Sequence, residues 1–318
     1  MGQIWNKKEL DTVKVCPLCG ATDNRFLTKR GDNLPIHECT NCGFAFLYKR
    51  PSQQALASYY DGDYFQNSDT YQDYFNYAQA IIDLRYCPRL HRLRRFLSDF
   101  RGKRVLDLGC AAGGTLALLK TMGAKGMGIE ISKAACKIAR EHYDLDVICS
   151  PLENVTLNRE SFDVIFMFDV LEHLEKPSEA LNWLHDVLSP NGLLSLTVPN
   201  FDLFFKKGKN WAGVQSYWEH LGYFRSNVLY KKLSSMGMEI IETHTYGEEP
   251  CSENHIRETK RRKITRRLRE KLPVFNKFLR IARKLKFRYL GPPPLDIRYD
   301  GTGMDLFVLV QKTYPDQL

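Results

Sequence analysis

Four of the nine cysteines form two tight pairs, Cys16-Pro-Leu-Cys19 and Cys39-Thr-Asn-Cys42, with nineteen residues between the pairs. Two thiolates at this spacing can share one side of a turn, and four of them close the tetrahedron of a structural zinc ion. Gly20 and Gly43 follow the pairs directly and permit the tight backbone. Four thiolates leave no open coordination position, so the expected role is structural. His37, two residues before Cys39, is then expected beside the ligands or at the surface. A segment of about 50 residues buries little surface, whereas a zinc site contributes on the order of 10 kcal/mol of folding free energy. Residues 1–50 are therefore expected to be a zinc ribbon bound by Cys16, Cys19, Cys39 and Cys42.

A second constellation is Asp107-Leu108-Gly109-Cys110-Ala111-Ala112-Gly113-Gly114, at the end of a short apolar run and opening into a helical pattern. Small residues there let the backbone approach a ligand closely. Glu130 ends the next apolar run, where a carboxylate can accept both hydroxyls of a ribose. Two histidines are candidate bases: His173 in Glu172-His173, and His220 with Glu219 in Ser216-Tyr217-Trp218-Glu219-His220-Leu221-Gly222-Tyr223. The second lies in an aromatic-rich connection after the fifth strand of the sheet, on the side where open α/β sheets bind ligands. Packing or helix capping is the competing assignment for both rings.

The elements that must position these residues alternate. Strands are expected at 105–108, 125–129, 146–149, 162–168 and 193–198, with helices at 116–122, 133–142 and 177–188, the last ended by Pro190-Asn191-Gly192. This is the pattern of a doubly wound parallel sheet. A helix at 226–236 and strands at 239–244 and 304–311 follow, the two strands separated by an insertion at about 247–302 where a short hairpin would be expected. Residues 51–100 form a Tyr-rich helical linker or lid, in which Leu90, Leu93, Phe96 and Leu97 recur at helical spacing.

Leu106 to Gly114, Gly128-Ile129-Glu130, and Phe162-Asp163-Val164-Ile165 followed by Asp169-Val170-Leu171-Glu172-His173 together resemble the class I S-adenosylmethionine-dependent methyltransferases. The resemblance covers about 101–244 and the last strand. A four-cysteine ribbon and Tyr-rich linker ahead of it is similar to a bacterial subgroup acting on small molecules, sugars and glycans. It implies a Rossmann-like seven-stranded α/β sheet over 101–318, with a basic helical insertion before the last strand. It also implies S-adenosylmethionine as cofactor, with Gly109 and its neighbours Asp107, Cys110, Ala111 and Gly113 against the methionine end. Glu130 and Ile131 would then hold the ribose side, Leu152 and Glu153 would flank the adenine, and Asp169 would line the methyl-donor pocket. Ala111 departs from the family pattern, which has glycine there. A nicotinamide-binding protein ranks below, because the turn begins with an acid that the dinucleotide fingerprint does not require and no second mononucleotide half follows.

The chain has 318 residues, 43% apolar and 26% charged, which excludes wholesale disorder and fibrous classes and leaves room for about two domains. Apolar runs such as Val164 to Phe168 are too short to span a bilayer, and no signal-peptide pattern stands at the start. Met1-Gly2 is followed by Asn6, where the myristoylation pattern has Ser or Thr. Cys87, Cys110, Cys136, Cys149 and Cys251 show no pairing pattern, which fits a cytoplasmic protein. Between Arg257 and Arg288 fifteen Lys or Arg face two Glu, a net of +13 against +9 for the whole chain. That segment reads as two amphipathic helices broken by Pro273, the form expected at an anionic membrane surface. A solvated helix pair is the competing reading.

The expected function is methyl transfer to a small-molecule, sugar, glycan or lipid-linked acceptor, in polysaccharide or secondary-metabolite biosynthesis, in the cytoplasm or at the inner membrane face. An RNA methyltransferase, gripping RNA with the ribbon and basic segment, is the alternative. Phe168-Asp169-Val170-Leu171 lacks the proline-rich aromatic tetrapeptide of the amino-methylating nucleic-acid enzymes, and Pro250-Cys251 falls beyond the sixth strand of the sheet, out of reach of the site. A cofactor-fold binding protein without catalysis is disfavoured by the intact Asp107, Glu130 and Asp169.

Overall fold

A computed structural model describes residues 5–59, 78–79, 81, 90, 93, 95–97, 99–215, 218–247, 297–298 and 300–313. The N-terminal part holds β1 (Leu10–Thr12), β2 (Asn24–Lys29), β3 (Pro35–Cys39), β4 (Ala45–Leu47), β5 (Lys49–Pro51) and α1 (Gln53–Tyr59). β1 pairs with β5, and β2, β3 and β4 form an antiparallel meander. The following residues give β6 (Arg104–Leu108), α2 (Gly114–Thr121), β7 (Lys125–Glu130), α3 (Lys133–Tyr143), β8 (Asp146–Cys149), β9 (Phe162–Phe168), α4 (Pro177–Val187) and β10 (Leu188–Pro199). Then come α5 (Asp202–Lys207), β11 (Gly222–Tyr223), α6 (Ser226–Ser234), β12 (Met238–Tyr246), β13 (Ile297–Arg298) and β14 (Asp305–Lys312).

The main sheet has the order β13-β12-β14-β10-β9-β6-β7-β8. The seven expected strands are all present, and the two-residue β13 extends the edge. The strands from β10 to β8 run parallel, but β14 is antiparallel to both β10 and β12. The sheet is thus mixed: the five strands expected to run parallel do so, and the last two, expected as a hairpin, are antiparallel to each other, with β14 inserted between β12 and β10. Alternation along each strand supplies two buried faces. Leu106, Ile165, Leu194 and Val308 pack on one side, with the ribbon's Cys16, Cys39, Phe44 and Phe46 in the same cluster. Val105, Val164, Phe166 and Leu309 pack on the other, with Leu116 and Leu119 of α2.

The helix expected over 177–188 runs from Pro177 to Val187 and passes straight into β10, because the wholly buried Leu188 already pairs with Phe162. Pro190-Asn191-Gly192 becomes an irregularity inside β10, with Asn191 at φ 58°. In the linker, Leu90 and Leu93 are buried as their spacing implied, but Phe96 is exposed; the aromatics from Tyr60 to Tyr77 lie outside the described residues. Within the insertion, Ile297–Arg298 pairs with β12, and the basic helices expected at 257–288 lie outside the described residues. No helix among the described residues is long and apolar enough to cross a membrane.

Candidate functional site

The glycine-rich turn stands between β6 and α2, at the C-terminal edge of the parallel strands. Gly109 has φ 73°, and a Cβ there would run into Val170 Cγ2, so only glycine fits. Its amide and that of Cys110 donate to the Ile129 carbonyl at 2.8 and 3.2 Å, tying the turn to the end of β7. Glu130 is buried and braces the turn: Oε2 accepts from the Ala111 amide and Oε1 from the Ser132 amide, each at 2.8 Å. Burial pushes its carboxyl upward, and these amides work against that shift. Each oxygen has further lone-pair capacity, so the carboxylate can accept ribose hydroxyls as well.

The other residues expected on the cofactor side lie at the ends of the neighbouring strands. Asp107 is buried at the end of β6, and Gly113 is the N-cap of α2. Burial drives the Cys110 thiol well above its ordinary range, which makes it an inert wall. Ile131 is an exposed apolar side chain beside Glu130, and Leu152 and Glu153 lie on a 3-10 turn after β8. Asp169 closes the other side in a left-handed conformation, φ 57°, with its amide donating to the Thr197 carbonyl and its Oδ1 accepting from Thr197 Oγ1 at 2.6 Å. A backbone cradle, a carboxylate with spare acceptor capacity and an apolar neighbour suit an adenosine carrying an amino-acid tail.

Glu172, His173 and His220 come together past the end of β9. The two rings stand 4.9 Å apart at 81°, and Glu172 Oε1 lies 3.8 Å from His173 Nε2 and 4.0 Å from His220 Nε2. The sequence treats the two histidines as separate candidates, and the structure makes them one cluster around a carboxylate that sequence reasoning did not select. Burial pulls His173 down to about 4, against the opposing effect of Asp169. Burial, the neighbouring His173 and the Arg30 charge hold His220 well below the ordinary histidine range. Both rings are thus neutral near pH 7, and the burial that keeps them neutral also weakens them as bases. The same ligand atoms lie within 4.8 Å of one another, so a divalent cation could also bridge them. Glu219 is buried, which raises its carboxyl, and its main chain hydrogen-bonds the His173 ring. A polar cavity of about 310 Å³, lined by Asn200, Asp202, Tyr230, His244 and Arg298, opens beyond β10 on the same edge of the sheet.

The four ribbon cysteines also converge. Cys16 and Cys42 Sγ lie 3.7 Å apart and Cys19 and Cys39 Sγ 3.6 Å apart. Zn–S bonds of about 2.3 Å give tetrahedron edges of about 3.8 Å, so the set fits zinc. The hydrogen bond with Cys42 pulls Cys16 down to about 5. His37 stacks on Tyr48 at 4.1 Å and bonds Asn24 Oδ1 through Nδ1, so it packs beside the site rather than joining it.

Comparison with known proteins follows this geometry. The family described as "Methyltransferase domain" matches residues 78–243. The ubiquinone biosynthesis O-methyltransferase of Bradyrhizobium diazoefficiens is 32% identical over 119 residues, 36% of this chain and 47% of that protein. The mitochondrial ubiquinone biosynthesis O-methyltransferase of Schizosaccharomyces pombe is 34% identical over 105 residues, 31% of this chain and 38% of that protein. The chain thus spans less than half the length of these relatives. A solved S-adenosylmethionine dependent methyltransferase from Mesorhizobium loti superposes with a TM-score of 0.45 at 18% identity, covering 72% of this chain and 99% of that one.

Proposed function

Because the chain belongs to the methyltransferase-domain family, which covers just over half of it, we propose that it transfers the methyl group of S-adenosylmethionine to a hydroxyl of a small-molecule, sugar, glycan or lipid-linked acceptor. The observation that carries the hydroxyl assignment is the pair of neutral histidines whose Nε2 atoms lie 3.8 and 4.0 Å from Glu172 Oε1. The O-methyltransferase names of the relatives support the same choice.

The turn at Gly109, with Glu130, would hold the cofactor, which supplies an electrophilic methyl carbon on a positively charged sulfur. The protein's own work is alignment, exclusion of water and custody of one proton. Gly109 sits against Val170, and His173 lies three residues beyond Val170, so the cofactor cradle and the histidine pair meet across the ends of β6 and β9. As the carbon–oxygen bond forms and the carbon–sulfur bond breaks, the acceptor proton passes to an imidazole nitrogen of His220 or His173. Glu172 then stabilises the imidazolium. The four thiolates would hold one zinc ion with a structural role.

The test is product formation with a catechol, a methyl glycoside and an RNA transcript, read by mass as one added methyl group. His220→Gln should lose about 10²- to 10⁴-fold in turnover while keeping cofactor affinity. Methylation of the RNA alone, or full turnover by His220→Gln, would contradict the reading.

The basic segment at 257–288 adds peripheral contact with an anionic membrane to this reading, supported by its charge. Binding to anionic but not neutral vesicles, weakened by salt, is the expected co-sedimentation result. Equal, negligible binding to both would contradict it.

A further inference from the structure

The turn between β2 and β3 reaches from the ribbon to the chain segment that carries Glu219 and His220. Arg30 and Asp32 in that turn are almost wholly buried, at 1% and 2% exposure. Arg30 Nε and Nη2 donate to Asp32 Oδ1 and Oδ2 at 3.0 and 2.7 Å. The third arm, Nη1, donates to the main-chain carbonyl of His220 at 2.9 Å. The guanidinium also lies 5.7 Å from the Trp218 ring centroid. A rigid planar fork can grip a carboxylate and a carbonyl at once, which a lysine ammonium cannot reproduce.

Neighbouring bonds make the same connection. The Gly31 amide donates to the Val214 carbonyl at 2.8 Å, and a Cβ at Gly31 would stand 3.0 Å from the Gln215 carbonyl oxygen and 3.1 Å from the Trp218 ring. The Leu47 amide donates to the Leu221 carbonyl, and Gly222 and Tyr223 pair with Phe46 and Ala45 of the ribbon meander. On its other side the segment returns to the proton-accepting cluster, where the Leu221 amide donates to the Glu172 carbonyl at 2.8 Å. The His220 segment is therefore laid onto the ribbon, with Arg30 bonded to His220 itself. A buried ion pair is costly to desolvate, and apolar packing would serve as well if filling space were its only task.

We propose that Arg30, oriented by Asp32, is a positioning residue that sets the place of His220, so that the ribbon is a working part of the active site. This rests on the proposed roles of His173 and His220, but its test needs no acceptor and no turnover. The full-length, zinc-loaded chain is compared with Arg30→Met, Arg30→Lys and Asp32→Asn. Histidine ring resonances are followed by NMR, with the His220 signal assigned by its loss in His220→Gln, and hydrogen exchange is measured at 219–223. The expected result in folded Arg30→Met is a displaced, broadened His220 signal and exchange faster by about tenfold or more at 219–223, with zinc content and S-adenosylmethionine affinity unchanged. Arg30→Lys should restore this only in part, because it returns the charge without the fork. If Arg30→Met does not fold, the same changes are expected in Arg30→Lys and Asp32→Asn. An unmoved His220 signal with unchanged exchange in a folded variant would overturn the proposal, as would unfolding of all three, which would make Arg30 a residue of the fold alone. A wild type that fails to bind S-adenosylmethionine would overturn the methyltransferase reading without altering these signals.

Discussion

Glu130 spends one acceptor site on each oxygen to hold two amides, Ala111 and Ser132, and keeps the rest for a ligand. Its removal would therefore loosen the turn together with the ribose contact proposed for it. Glu130→Gln turns an amide nitrogen toward one of those N–H donors. By calorimetry it should bind S-adenosylmethionine more weakly by about 1–3 kcal/mol, with little change in zinc content. Unchanged affinity would show that the carboxylate braces the turn without touching the cofactor. Residues of this kind were legible because their signal is local: the cysteine spacing, the small residues after Asp107, and an acid at the end of the following strand. Arg30 and Glu172 were not singled out. Arg30 meets His220 across 190 residues of sequence, and no short-range pattern marks that contact. Glu172 stood next to a chosen histidine, and the available signal was the acid itself, paired with His173 just beyond the fourth strand of the sheet.

The strands of the main sheet were readable as apolar runs bounded by turn residues, and the helices between them by their periodicity. β11 has two residues and no period to read, yet it joins the ribbon meander to the methyltransferase sheet through Gly222 and Tyr223. The bulge at Pro190-Asn191-Gly192 was hidden for the opposite reason: the sequence looks like a turn, and only the pairing of Leu188 with Phe162 shows that the strand has already begun. Because β4 carries β11, loss of the zinc ion proposed for the four thiolates should propagate along this connection. Cys39→Ser, or removal of zinc by a chelator, should release about one zinc per chain, raise hydrogen exchange at 45–47 and 219–223 together, and leave S-adenosylmethionine affinity nearly intact. Exchange confined to the cysteine loops would mean that the ribbon and the His220 segment are not coupled.

Over the whole molecule, one sheet separates two buried faces, and the ribbon occupies one of them with Cys16, Cys39, Phe44 and Phe46 in the same core cluster as Leu106 and Ile165. The C-terminal edges of β6 and β7 carry the glycine-rich turn and Glu130, and the segment leading into β11 brings His220 against His173 past the end of β9. The central claim is that this edge takes S-adenosylmethionine, and titration calorimetry of the purified full-length chain with S-adenosylmethionine and, separately, with NAD tests it most directly. The expected result is micromolar binding of S-adenosylmethionine, about −8 kcal/mol, with no heat from NAD. Binding of NAD with none of S-adenosylmethionine would contradict it.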